Sequence, residues 1–242
     1  MTVQEQLSKI LLIDKPAGIT SHDVVDRVRR IYNTKKVGHA GTLDPFATGL
    51  LIVAVGKATK ELSNYVGLDK TYEATARLGA TSDTYDLTGQ ITKYNCHSCA
   101  GENPESDGSS DLHYVASKDD KKNGTLMILD KVLNELLSFK GGYLQKAPAY
   151  SAKKVNGQKL YELARRGEDV EHLRPSKQIN ISEIELLDFN WPDVKFRVSC
   201  SSGTYIRSLA HDFGEKLGCG AYLTELRRTR VGEFKVEDAR RL

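Results

Sequence analysis

An α+β fold, with a mixed, largely antiparallel sheet flanked by helices and loops, is predicted by three features of the 242-residue sequence. Short apolar runs of strand length, or with strict alternation, recur from Ile10 to Cys200. Between them lie stretches whose apolar residues fall at helical spacing. The two kinds follow one another without the regular strand-helix-strand period of a parallel α/β sheet. A chain this long can bury a sizeable core without disulfides or a structural metal, and one domain over 1–242 accounts for it.

In chain order, Ile10 to Ile13 reads as a buried strand stopped by the turn Lys15-Pro16-Ala17-Gly18. Ser21 is then expected to cap a helix with Val24, Val25, Val28, Ile31 and Tyr32 on one face. Val37 to Pro45, punctuated by Gly38 and Gly41, lacks periodicity and is expected to be a loop before the apolar run Leu50 to Val55. Tyr72, Ala74, Ala76 and Leu78 alternate with polar residues, as in a half-buried strand. From Lys93 to Gly124 the composition turns to Asn, Ser, Gly, Asp and Lys, which predicts a flexible insertion. Leu126 to Leu137 has helical spacing and ends at Gly141-Gly142, and a second helix is expected over Leu160 to Arg166. Strand patterns return at Ile179 to Leu187 and at Val194 to Cys200, followed by a helix carrying Ile206, Leu209, Ala210, Phe213 and Leu217. No internal repeat is visible.

Net charge is +3, but the 93–124 segment has six acids against four lysines, leaving +5 on the rest. Lys153, Lys154, Lys159, Arg165, Arg166, Arg174 and Lys177 form one basic cluster, and Arg227, Arg228 and Arg230 another. Such clusters can neutralise phosphates, or simply form a solvated face. No apolar run approaches the roughly 18 residues of a membrane span, and no signal peptide opens the chain, so a cytoplasmic protein without membrane contact is expected. Four cysteines are too few for a secreted disulfide framework.

The signals of a P-loop, a dinucleotide fold, a zincin and an α/β-hydrolase are all missing. Cys96-His97-Ser98-Cys99, with His113 downstream, has metal-ligand spacing but lacks a second pair, so no metal site is assigned. Asp44 sits before a proline in a loop with Gly38, Gly41 and Gly49, where the backbone can approach a ligand; Asp44-Pro45 also fits a plain helix N-cap. Arg207 stands at a strand-helix junction and could hold a carboxylate by two hydrogen bonds, while the pattern alone places Tyr72 in the core.

Leu12-Ile13-Asp14-Lys15-Pro16-Ala17-Gly18-Ile19-Thr20-Ser21 and Gly38-His39-Ala40-Gly41-Thr42-Leu43-Asp44-Pro45-Phe46-Ala47-Thr48-Gly49-Leu50-Leu51 stand in register with five further groups. These are Lys57-Ala58-Thr59-Lys60, Lys70-Thr71-Tyr72, Ser82-Asp83-Thr84-Tyr85-Asp86, Tyr150-Ser151-Ala152-Lys153 and Gly203-Thr204-Tyr205-Ile206-Arg207. Together they resemble the TruB family of tRNA pseudouridine synthases, over nearly the whole chain outside 93–124. The resemblance implies the pseudouridine synthase fold and isomerisation of a tRNA uridine, at position 55 of the T loop, on a base taken out of its stack, with no cofactor.

Carried over, Asp44 is the catalytic aspartate, Arg207 the arginine that pairs with it, and Tyr72 the tyrosine that stacks on the base and is a candidate for proton transfer at C5. His39 would support the opened T loop, Tyr205 and Leu226 would line the uracil pocket, and Lys15 and Lys60 would pack the loops or touch phosphates. The segment 150–174, with Lys153, would clamp the RNA. Ala40 stands where the family often has threonine, and no C-terminal PUA domain is expected before the chain stops at Leu242. A monomer is expected. The competing readings are an RNA-binding chaperone and a synthase for a different RNA.

Overall fold

The computed structural model describes residues 8–93, 120–155 and 157–241. The chain opens with strand β1 (Ser8–Lys15), helix α1 (Ser21–Ile31) and strands β2 (Val37–Ala40) and β3 (Thr48–Gly56). A 3-10 turn over Lys57–Glu61 and the short α2 (Leu62–Val66) lead into β4 (Lys70–Leu78) and a small hairpin of β5 (Ala80–Ser82) and β6 (Ile91–Lys93). After α3 (Asp120–Leu137) come β7 (Leu144–Lys146), β8 (Lys154–Val155), β9 (Gln158–Lys159), α4 (Leu160–Arg165) and β10 (Ser176–Gln178). The last third holds β11 (Ile181–Asn190), β12 (Asp193–Cys200), α5 (Ile206–Leu217), β13 (Ala221–Val231), β14 (Phe234–Lys235) and β15 (Arg240–Arg241).

The main sheet runs β11-β12-β4-β13-β3-β1-β15, with β2 also on β3 and β14 on β13. Only the β13–β3 and β1–β15 pairs are parallel among the described residues, so the sheet is mixed and largely antiparallel. The apolar run of β3 follows from burial on both faces. Leu51, Val53 and Val55 face Val24, Val25 and Val28 of α1, while Leu50 and Ile52 pack with Ala40, Val231 and Val236. On β4, Tyr72, Ala74, Ala76 and Leu78 form one buried row with Val194, Phe196 and Val198 of β12, under Ile206, Leu209, Ala210 and Phe213 of α5.

Several local expectations are corrected. The N-cap of α1 is Thr20, not Ser21: Thr20 and Asp23 form a reciprocal capping box, freeing the Ser21 hydroxyl for the neighbouring loop. Ile31 is exposed rather than on the buried face, whereas Tyr32 beside it packs against the cluster of α1 and β3. Val37 to Ala40 is a strand paired with β3, so only the remainder of that stretch is loop. Helix α3 starts at Asp120, inside the segment predicted to be flexible; residues 94–119, with the Cys96, Cys99 and His113 motif, lie outside the described residues.

Strand β13 had no sequence expectation, yet it lies between β4 and β3 and joins the two halves of the sheet. Its register shifts at Leu223/Glu225 and Arg228/Arg230. The first shift keeps Leu223 and Leu226 on one face, opposite Ala76 and Ala74, and sets Arg228 opposite Tyr72. The second basic cluster is therefore divided. Arg228 is buried, Arg227 is bonded at 3.0 and 2.9 Å to both carboxylate oxygens of Asp14, and Arg230 alone is exposed.

Gly49 marks the tightest approach between β3 and β13: with φ at +104°, an added Cβ would lie 2.3 Å from the Arg228 carbonyl oxygen. Gly18 also has a positive φ, +84°, but nothing stands within 4 Å of its missing Cβ. We expect Gly18→Ala to cost about 1 kcal/mol through backbone strain alone, and Gly49→Ala to cost clearly more, about 3 kcal/mol or greater. Urea unfolding of the two variants side by side checks the difference.

Candidate active site

The loop between β2 and β3 carries Asp44, and its backbone is fastened from four directions. The Leu43 amide donates to Ser21 Oγ at 2.9 Å, and the Ser21 hydroxyl returns a bond to the Leu43 carbonyl at 3.2 Å. The Gly18 amide donates to the Pro45 carbonyl at 2.8 Å. Lys15, fully buried, donates through Nζ to the carbonyls of Pro16, Ile19 and Pro45 at 2.9, 2.7 and 3.2 Å. Arg228 donates through Nε to the Leu50 carbonyl at 2.7 Å and through Nη2 to the Gly41 carbonyl at 3.1 Å. Two buried cations thus meet the Gly41 and Pro45 carbonyls of the loop and, beside it, those of Pro16, Ile19 and Leu50. No helix starts at Asp44, which removes the N-cap reading; the Ala47 amide closes a turn on the Asp44 carbonyl instead.

Arg207 lies at the first turn of α5 with a side chain 6% exposed. Its Nε stands 2.9 Å from Asp44 Oδ2 as a charge contact, and Nη2 donates to Asp44 Oδ1 at 3.4 Å. The same guanidinium donates to the carbonyls of Thr84 at 2.7 Å and Tyr150 at 3.1 Å, and Nη1 lies 3.3 Å from Asp86 Oδ2. Asp86 is 5% exposed, whereas Asp44 is 34% exposed. One buried cation therefore joins a buried carboxylate, which can only be structural, to an accessible one. Asp86 is itself fixed, its Oδ1 accepting from Thr84 Oγ1 at 2.8 Å, from the Thr88 amide at 2.9 Å and from the Thr88 hydroxyl.

The predicted residues gather unevenly around this pair. Tyr72 is buried in the main core beside Leu43 and Leu226, and its phenol interacts with Arg228 and feels the charge of Asp44. Burial pushes the phenol above its ordinary pKa, outweighing the pull of Arg228, so it is protonated at neutral pH. Tyr205 immediately precedes α5; burial raises its pKa, while it too senses Arg207 and Asp44. Leu226 pairs with Ala74 across β13 and β4. His39 is on β2, with burial first and Arg228 second holding its imidazole below its usual pKa, hence neutral at pH 7.

Lys15 proves to be a loop clamp. Lys60 is exposed on the turn after β3. Asp44 precedes that nine-residue strand and Lys60 follows it. Lys153 is exposed and lines a pocket together with Lys177 and Tyr205. Within the first basic cluster, Arg174 is a packing residue, bonded to the Ala147 carbonyl at 2.7 Å and paired with Glu171. Sequence reasoning gave no role to Asp86 or Arg228. Asp86 stood in the quoted Ser82 to Asp86 group, and Arg228 in a run read only as charge.

The family model described as TruB family pseudouridylate synthase (N terminal domain) matches residues 29–107 and 105–206, and that of the tRNA pseudouridylate synthase B C-terminal domain matches 207–242. The chain is similar to proteins named tRNA pseudouridine synthase B. The one from Clostridium acetobutylicum is 45% identical over 93% of this chain and 68% of its own length. That of Opitutus terrae is 41% identical over 98% and 86%, and that of Aquifex aeolicus 44% over 95% and 70%. Among solved structures, a chain of a Cbf5-Nop10-Gar1 complex superposes with a TM-score of 0.65 at 32% identity. A chain of an H/ACA RNP bound to a substrate RNA containing 2′-deoxyuridine does so at 0.63 and 29%. The chain spans about half, 52%, of each of those two.

Asp86→Asn leaves the Arg207 guanidinium short of one buried counter-charge, and we expect a loss of about 3 kcal/mol in urea unfolding. Burial lowers the Lys15 ammonium to about 8, partly offset by attraction to Asp44. The unfolded chain, with an ordinary lysine, therefore holds more protons above pH 8, and stability gains from this group as pH rises from about 8 toward 10. Lys15→Met should be less stable than the wild type, and should lack that part of the pH dependence; unfolding curves of both proteins across this interval test it.

Proposed function

This chain belongs to the TruB family of pseudouridylate synthases, and from that premise we propose that it isomerises a specific tRNA uridine to pseudouridine, at position 55 of the T loop, with Asp44 as the catalytic carboxylate. The observation that supports this most is the Asp44–Arg207 pair, in which an accessible carboxylate is aimed by a buried guanidinium that four chain segments share. The reaction breaks the N1–C1′ bond, forms a C5–C1′ bond and moves a proton from C5 to N1, so nothing is oxidised, hydrolysed or consumed. It needs one well-placed anion near the ribose, a group that moves a proton and a pocket for an unstacked base.

Asp44 meets the first need because its loop is clamped and its oxygens are only partly covered by Arg207. Tyr72 presents a flat, protonated ring for stacking, and the neighbouring Arg228 favours the phenolate should the ring take part in the proton transfer. Tyr205 and Leu226 wall the base, and neutral His39 on β2 is suited to contacts with the opened loop. On this reading 1–242 is one catalytic unit and 150–174 contacts RNA, with Lys153 among the residues that do so. The T arm is the recognised element, the protein works as a monomer in the cytoplasm, and no cofactor takes part. Among the described residues, no helix is long and apolar enough to cross a membrane.

Release of tritium from C5-labelled uridine in an unmodified tRNA transcript tests the proposal. The wild type should release it at one site, and Asp44→Asn should be slower by at least about a thousand-fold with tRNA binding retained. Binding without release by the wild type would favour the RNA chaperone, and equal release from unrelated hairpins a synthase for other RNAs.

A further inference from the structure

A second concave site has Tyr205 in its wall, the residue that also senses Arg207 and Asp44. It encloses about 180 Å³ and is lined by Lys153, Lys177, Gln145, Ser176, Gly203 and Tyr205, with no acidic residue in its wall. That volume is below the roughly 300–1,000 Å³ of sites for drug-sized ligands, and is too small for a whole nucleotide with its base.

The wall is built rather than incidental. Gln145, itself buried, holds the Tyr205 backbone on both sides, accepting from its amide at 2.8 Å and donating to its carbonyl at 3.0 Å. Lys177 donates through Nζ to the Ser202 carbonyl at 2.6 Å, which leaves two of its three N–H donors for a ligand. Gly203, with φ at +85°, makes room for this ammonium, since a Cβ there would come within 2.8 Å of Lys177 Nζ. Lys153, just before β8, brings a second ammonium.

We propose that this pocket is the subsite for a backbone phosphodiester flanking the flipped uridine, held between Lys153 and Lys177. The assignment rests on the reading that a uridine occupies the Asp44 site. Tyr205 is common to both sites, so the group that reaches the second pocket is one covalently joined to the nucleotide in the first. Ammonium groups act as compact point charges on phosphate oxygens and suit this task.

The test is binding of a T-arm hairpin in which the linkage 5′ or 3′ of the target uridine is replaced by an uncharged methylphosphonate. Wild-type protein should lose about fivefold or more in affinity for one of the two substituted hairpins. The Lys153→Gln, Lys177→Gln double variant should bind the native hairpin that much more weakly, with a shallower salt dependence, and should lose little more on methylphosphonate substitution. The proposal is overturned if neither substitution weakens wild-type binding, a result needing no variant, or if the substitution costs wild type and double variant equally. It is also overturned if free uridine monophosphate, but not the diester, depends on the two lysines. Conversion of the native hairpin is scored in parallel: coupling without conversion would keep the subsite and remove the isomerase reading.

Discussion

A single buried guanidinium sets the geometry on which the candidate site depends. Arg207 reaches from α5 to the Asp44 loop, to the Thr84–Asp86 turn and to Tyr150, three segments far apart in sequence. Its planar head has donors in fixed directions, so the hydrogen bonds to Thr84, Tyr150 and Asp44 and the charge contacts with both carboxylates specify where those segments sit. Burying such a charge is expensive unless it is paired, and here two carboxylates share the task. Their unequal exposure divides their roles: Asp86 is enclosed and holds the cation, whereas Asp44 remains open to a ligand.

The other face of the Asp44 loop obeys the same rule with different groups. A tight loop between two antiparallel strands turns several carbonyls inward, and each needs a donor. Lys15, at the end of β1, reaches the Pro45 carbonyl, and Arg228, on β13, reaches that of Gly41. Because both belong to the main sheet, the loop is fastened to the sheet. Arg228 also stands opposite Tyr72, so the cation that fastens the loop also meets the ring proposed to stack on the base. The lysine and arginine that hold backbone carbonyls around this loop are thus part of how the Asp44 carboxylate is placed.

Much of this was legible in the residues, for reasons that differ from element to element. β3 showed as an uninterrupted apolar run because it is covered on both faces, and β4 as strict alternation because its buried residues share one face. α5 followed from the spacing of Ile206, Leu209, Ala210, Phe213 and Leu217. β13 did not, because two register shifts break its period and its arginines mimic a solvated run. Asp44, Arg207 and Tyr72 came from motifs, but their contacts bridge long sequence separations that no local pattern reports. Asp86 needed its partner Arg207 to become meaningful, and Lys15 changed from possible phosphate ligand to clamp once its three carbonyl acceptors were known.

The account makes Arg207 a positioning residue whose value lies in the shape of its fork as well as in its charge. Lysine keeps the charge but cannot reach Asp44, Asp86, Thr84 and Tyr150 together. The most direct measurement is the single-turnover rate of pseudouridine formation by Arg207→Lys, alongside hairpin affinity and circular dichroism. The account predicts a folded protein whose affinity changes by less than about threefold and whose rate falls by about a hundred-fold or more. A rate within a few-fold of wild type in the folded variant would contradict it, showing that Asp44 is placed without the guanidinium.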